Sequence, residues 1–365
     1  MKVSILFVSH PDHLTEPYPH QGVHERVTRE VMEAEEDGFD AIWIAEHHFS
    51  NKYGIMPDPF SYLGYLAAKT SRIKLGSAVM VVPLHHPLRI VENAAFIDIL
   101  SQGRFQLGLG SGYRPYEFQG MGIDYELRRE IQQEAIPIIL DGFHKKRMVH
   151  KGKHFNFAIE EGYEIFPQPV QKPHPPFYLG AGTTGSIVYA GKNGFGLMQG
   201  SLLDFNLLRE HVHLYRSHMH EAPAPLNQNP AFGEADVVRM VYVAPTDAQA
   251  KADSEAGIVR HMKSFLQGTG TYLGEVTEKN KEDDFAYEKL ANTTIVHGSP
   301  DTVIRKIEQL GEIGYTSLML HYPPYYGPEK TLKMLRLFGK EVLPHVHKIK
   351  TNVTGHLTGK VANAA

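Results

Sequence analysis

Short apolar runs alternate with longer stretches of helical periodicity from one end of the chain to the other. Residues 2–9 read as a first strand. Val23, Val27, Val31 and Ala34 then recur at the spacing of a helix that Gly38 ends. Residues 41–45 predict a second strand, 59–70 a helix, and 73–82 a third strand. That third strand is apolar almost throughout, the pattern of a strand covered on both faces. Pro87 opens a helix that stops before Gly103. Further strands are predicted at 105–109, 177–179, 195–198, 237–243 and 317–320. Helices are predicted at 127–140, 186–192, 207–220, from Asp247, from Pro300 and at 329–341.

Eight strand–helix units in strict alternation predict the α/β class and a single (β/α)8 TIM barrel. The loop after the first strand, His10-Pro11-Asp12-His13, lacks the glycines that an open doubly wound sheet would place there. Two segments break the repeat and are predicted as insertions after strands four and seven. One is 142–175, rich in Lys, His and Pro. The other is 267–292, a candidate lid over the C-terminal ends of the strands. The barrel domain is expected over 1–350, with a flexible tail at 351–365.

Charge and composition narrow the function classes. The net charge is −4, from 37 basic and 41 acidic residues that are intermixed. No basic face results, so nucleic acid is not an expected partner. The absence of cysteine excludes disulfides, thiolate catalysis and cysteine-ligated zinc. The N-terminal apolar run ends at His10, and no stretch is long enough to span a bilayer. A cytoplasmic protein without membrane contact is expected.

Four segments carry candidate chemistry. Glu46-His47-His48-Phe49 ends the second strand, where barrels place catalytic groups; it fits a proton-transfer site or a pair of structural histidines. Small residues in Gly76-Ser77-Ala78-Val79 leave room for a flat ring against backbone, or simply make a tight barrel layer. Gly108, Gly110 and Gly112 lie too close together for a dinucleotide fingerprint but let backbone approach a ligand, with Ser111 and Arg114 as polar groups beside them. Gly182-Thr183-Thr184-Gly185-Ser186 joins a strand to a helix and reads either as an anion-binding turn or as an ordinary cap. His211, His213, His218 and His220 lack metal-ligand spacing and read as a solvated helix face. No metal ligands are assigned. His10, His85 and Tyr322, from loops after strands one, three and eight, are candidate contacts for a small, mostly apolar substrate with one polar group.

Together these segments resemble the luciferase-like flavin monooxygenases. The matching text is Glu46-His47-His48-Phe49, Pro83 with His86-Pro87, Ser101-x-Gly103-Arg104-Phe105, Gly298-Ser299-Pro300-Asp301 and Glu341-Val342-Leu343-Pro344. The resemblance covers about residues 1–345 in order. It implies a TIM barrel using reduced FMN supplied by a separate flavin reductase, in a likeness whose members are commonly homodimers. In that chemistry the flavin reacts with O2 to give a C4a-peroxide, which oxygenates a small organic substrate. The resemblance places the catalytic histidine at His47 and a non-prolyl cis peptide at Ala78–Val79 behind the flavin ring. It assigns cofactor contacts to Ser111, Tyr113, Gly182, Thr183 and Ser186. Ser111 stands where bacterial luciferase has an arginine near the phosphate, a place for Arg114 or another group to fill. Gly112-Tyr113-Arg114-Pro115-Tyr116-Glu117-Phe118 resembles oxygenases and oxidoreductases of the wider family more than the light emitter, so no light emission is expected. A deazaflavin (F420)-dependent or FMN-dependent reductase on the same fold is the nearest alternative. A non-catalytic flavin-binding barrel and a metal-dependent hydrolase built on His47 and His48 are the others.

Overall fold

The inward side of each strand is set by the two-residue period of extended chain, and that period builds a lumen here. The computed structural model describes residues 1–200, 202–269 and 285–353. Its strands are β1 (Lys2–Phe7), β2 (Ala41–Ile44), β3 (Lys74–Val81), β4 (Phe105–Gly110), β5 (Val149–Lys151), β6 (Asn156–Ala158), β7 (Phe177–Gly180), β8 (Gly196–Gln199), β9 (Ala235–Val243), β10 (Val296–Gly298) and β11 (Ser317–His321). Eight of them close a parallel barrel in the order β1-β2-β3-β4-β7-β8-β9-β11, and β11 pairs back onto β1. This is the (β/α)8 TIM barrel that the alternation predicts.

The core is two layers. A large apolar cluster fills the annulus between strands and helices, and a smaller one fills the lumen. The lumenal cluster contains Trp43, Tyr178, Met198, Val238 and Met319, with Leu6, Ala78 and Val79 against it. Trp43 and Tyr178 meet edge to face at 5.2 Å. Glycine makes room for both: a Cβ on Gly76 would lie 2.2 Å from the Trp43 ring, and one on Gly196 would lie 2.5 Å from Tyr178. Below them the barrel floor is polar, with Tyr178 donating to Glu234 at 2.7 Å and Asp236 fully buried.

Several expected boundaries shift. The segment 142–175 holds a two-stranded antiparallel hairpin, β5–β6, docked on His86 through Phe155 and Phe157. Its strands have three residues each, too short for a readable period. The helix expected at 127–140 runs over Arg128–His144 with Pro137 inside it. β10 was not foreseen; it pairs with the end of β9 outside the closed ring. The solvated histidine face is corrected at His211, which is 9% exposed and bonded to Gln199 at 2.8 Å. That helix turns Leu208, His211, Val212 and Tyr215 toward the barrel, one face at helical spacing. The candidate lid at 267–292 falls largely on 270–284, outside the described residues, and so does the tail from 354. Among the described residues no helix is long and apolar enough to cross a membrane.

Candidate active site

The C-terminal mouth of the barrel has two unlike halves. Over β3, β4 and β7 the lumenal positions are Ala78, Gly108, Gly110 and Gly180, by the parity of Tyr178 and of Met198, which a Cβ on Gly108 would approach within 3.2 Å. The Ala78–Val79 peptide is cis, as the resemblance implies. The β3–β4 register shifts there, between Ser77 and Met80, and both Ala78 and Val79 face the lumen. A Cβ on Gly110 would sit 2.4 Å from Val79 Cγ2, and one on Gly180 would sit 3.0 Å from Val79 Cγ1. The result is a shelf of backbone and short side chains.

The other half is built of rings. His47, just beyond β2, is 6% exposed, and its Nδ1 lies 3.0 Å from Glu117 Oε1. The same oxygen accepts the His48 backbone N–H at 3.1 Å. Glu117 sits on the short helix Pro115–Gly120 that Pro115 starts after the glycine run. A carboxylate on Nδ1 fixes the proton there and leaves Nε2 as the working nitrogen. Burial lowers the His47 pKa more than Glu117 raises it, so the ring is neutral at neutral pH. Tyr53 stands 5.1 Å from His47 and 5.6 Å from His10, and burial pushes its phenol up to about 12. Arg114 stacks over Tyr53 at 4.4 Å and Tyr113 at 5.0 Å. It is 2% exposed, a buried cation in an aromatic cage rather than a surface arginine.

A second carboxylate ties the halves together. Glu46 accepts from Val81 N at 2.7 Å, and its other oxygen meets His48 Nε2 at 2.9 Å and His85 Nε2 at 2.6 Å. Burial alone would raise the Glu46 pKa, but these hydrogen bonds hold it below the usual value. Burial likewise pulls His85 down, and the bond and charge of Glu46 more than reverse it. Thus His85 is anchored to Glu46 while its side chain stays 30% exposed.

The remaining predicted residues divide. Thr183 caps the helix Thr184–Lys192 in a capping box with Ser186, their hydroxyls 3.0 Å apart; Thr183 is exposed and Ser186 half-buried. A Cβ on Gly185 would meet nothing within 4 Å, so the first turn is open. Ser111 and Tyr113 follow β4, with Tyr113 6.1 Å from the His47 ring. His10 joins the ring half. Tyr322 does not: its ring packs against Phe7 and its hydroxyl donates to Glu30 at 3.3 Å, on the helix side of the strand. Sequence reasoning missed Glu117, Tyr53, His261 and His321. Glu117 is 70 positions from His47, and no local spacing links them. Among the described residues no group of three metal-ligating side chains converges. Two open surface clefts, about 390 and 360 Å³, lie at Glu25–Tyr65 on the outer helices and at Lys2–Thr316 on the barrel floor. Neither includes a mouth residue.

Comparison with known proteins agrees with the fold. The family model described as luciferase-like monooxygenase matches residues 1–317. The chain is 29% identical to the oxygenase component of the flavin-dependent trigonelline monooxygenase of Acinetobacter baylyi, over 76% of this chain and 73% of that one. It is 25% identical to the F420-dependent glucose-6-phosphate dehydrogenase of Kineococcus radiotolerans, over 86% and 90%. Among solved structures, the oxygenating constituent of 3,6-diketocamphane monooxygenase from Pseudomonas putida, in complex with FMN, superposes with a TM-score of 0.78. That likeness covers 94% of this chain and 98% of that one at 21% identity, and shows the shared fold.

Proposed function

Because this chain belongs to the luciferase-like monooxygenase family, we propose that it is a flavin-dependent monooxygenase that takes reduced FMN from a separate reductase and oxygenates a small, mostly apolar substrate. One observation carries the reading: a glycine-lined shelf faces a buried, neutral, carboxylate-held histidine across one barrel mouth.

The residues present fit the cofactor. Ala78 is small, and Gly110 and Gly180 let Val79 lie close against their backbone, so the shelf carries no long side chain, which suits a flat ring. Thr183, Ser186 and the first-turn amides of Thr184–Lys192 suit one phosphate, with Gly182 just before that turn and Ser111 and Tyr113 just after β4. Bound reduced flavin would supply the activation of O2 and the transfer of one oxygen atom. The chain's own part is positioning and proton control. His47 Nε2, aimed by Glu117, takes or returns a proton at the reacting centre. Tyr53, Tyr113 and the buried Arg114 exclude water and supply a fixed positive charge beside His47. Glu46 locks the Val81 amide at the end of the shelf strand and holds His85 at the rim, where it can meet substrate.

The test is equilibrium dialysis with reduced FMN, followed by a substrate screen reading oxygenated products by mass spectrometry. No binding of reduced FMN would remove the proposal. The second reading, an F420-dependent oxidoreductase, is favoured by the Kineococcus relative. F420 carries a longer acidic tail, so direct competition between the cofactors separates the two. A homodimer belongs to the proposal too. Tyr65, Phe96, Ile99 and Leu100 leave an exposed apolar face on the helices Pro59–Lys69 and Pro87–Leu100, which a second copy would cover. Light scattering of the wild type and of Phe96→Asp checks it.

A further inference from the structure

We infer that His10 and His321 form a substrate subsite for one uncharged group that both donates and accepts a hydrogen bond, a hydroxyl being the simplest. The inference rests on the reading of the barrel mouth as the active site. His10 Nδ1 and His321 Nε2 are buried nitrogens with no hydrogen-bond partner among the described residues. Their side chains are only 4% and 3% exposed. Buried polar atoms are seldom left unpaired, so both call for a partner.

The opposite nitrogen of each ring decides what that partner is. His321 Nδ1 lies 3.1 Å from the Leu6 carbonyl oxygen. A carbonyl only accepts, so Nδ1 carries a proton. Burial brings His321 down to about 4, the ring is neutral, and Nε2 is a lone pair. His10 Nε2 lies 3.1 Å from the Tyr325 hydroxyl. A phenol is the stronger donor and a neutral imidazole nitrogen the stronger acceptor, so the hydroxyl is assigned as donor to Nε2 and the single proton of His10 to Nδ1. That ring too is neutral, brought to about 3 by burial first and then by the adjoining His321 and Arg26. One ring therefore offers an acceptor and the other a donor. The two are neighbours through His261, 5.6 Å from each, and reach His47 through Tyr53.

The pair is held from behind by one ion network. Arg26 donates to the His10 carbonyl at 2.8 Å and to Glu16 at 2.6 Å, and lies 3.6 Å from Glu30. Glu30 in turn accepts from Tyr322, the residue after His321. The backbone beside both histidines is thereby fixed, as a recognition site requires. A hydroxyl would donate to His321 Nε2 and accept from His10 Nδ1. An ether or ketone would leave His321 unpaired, and a carboxylate would face its lone pair. The subsite thus selects hydroxyl-bearing substrates over their acids and ethers.

The test is calorimetric titration of the FMN-saturated protein with two matched sets: 4-ethylphenol, 4-ethylanisole and 4-ethylbenzoate; and 1-hexanol, hexyl methyl ether and hexanoate. In at least one set the hydroxyl member is expected to bind about tenfold tighter than its ether and its acid. His10→Phe and His321→Phe should each abolish that preference without changing FMN affinity. His321→Gln, whose amide oxygen can accept, should restore part of it and serves if the Phe variant does not fold. Equal binding of all members, binding of none, or a preference that survives both substitutions overturns the inference. The same titration on FMN-free protein separates the two readings. A hydroxyl preference without FMN binding keeps the subsite and removes the flavin; FMN binding without that preference does the reverse.

Discussion

The glycine half and the ring half of the mouth are built on the same repeating unit and differ in what they leave empty. On β3, β4 and β7 the lumenal positions end in Ala78, Gly110 and Gly180, and the surface is mostly backbone. Such a surface can accept a flat ligand but has no proton to give. On β2, β1 and β11 the positions at and beyond the strand ends carry His47, His10 and His321, all buried and all with lowered pKa values. Those rings can exchange protons and read polarity, and they fill the space that a cofactor ring would need. The proposed function gives binding to one half and reaction to the other, because side-chain volume is removed on one side and concentrated on the other.

Substitutions that trade these properties test the division. His47→Ala is expected to cost the most, on the order of 10²–10⁴ in substrate-coupled turnover, while FMN affinity stays unchanged by dialysis. Equal turnover would take His47 out of the chemistry. Gly110→Val attacks the opposite half, because its side chain would collide with Val79. It should weaken FMN binding by about 1–3 kcal/mol and leave turnover at saturating FMN much less affected. If both variants lose binding and turnover together, the two halves are not separable.

Ser186→Ala should weaken FMN by roughly 1.5–3 kcal/mol if its hydroxyl meets a phosphate. It also opens the capping box with Thr183, so thermal stability must be measured beside affinity. A lower melting temperature with unchanged affinity would leave the turn a cap alone. Glu117→Gln removes a charge that raises the His47 pKa. That pKa should fall further, the acid limb of kcat/KM should move to lower pH, and turnover should drop about tenfold. A limb that does not move would mean that another group titrates.

Asp236, on the floor below both halves, is a control. Burial first, and then the charge of Glu234, push its carboxyl up to about 8. A raised folded-state pKa means that its contribution is fully present below the unfolded value near 4. It is lost as pH rises toward 8. Asp236→Asn should flatten that slope in chemical denaturation, making the variant relatively more stable above pH 8, with mouth chemistry unchanged.

Much of this was legible in the chain itself. Alternating strand and helix periods gave the barrel, since a strand buried on both faces must be apolar throughout and a covering helix on one face only. Gly110, Gly182 and the Glu46-His47-His48 triplet were visible because strand ends are where barrels present chemistry. The hairpin in 142–175 and the strand Val296–Gly298 were not, because three-residue strands have no period to read. His211 misled because hydrophobic patterning treats a buried, hydrogen-bonded imidazole as a polar surface residue.

The sequence by itself determined the eight-unit barrel, the glycines of the shelf and the candidacy of His47. Those are local properties, carried by residue period, side-chain size and position at a strand end. Only the tertiary structure decided that Glu117 holds His47, that Tyr322 faces a helix rather than the mouth, and that His10 and His321 become neighbours across 311 positions. Closing the barrel brings β11 against β1, and with that closure distant residues share one low-dielectric space. Their charge states and partners follow from that space, which no stretch of sequence contains.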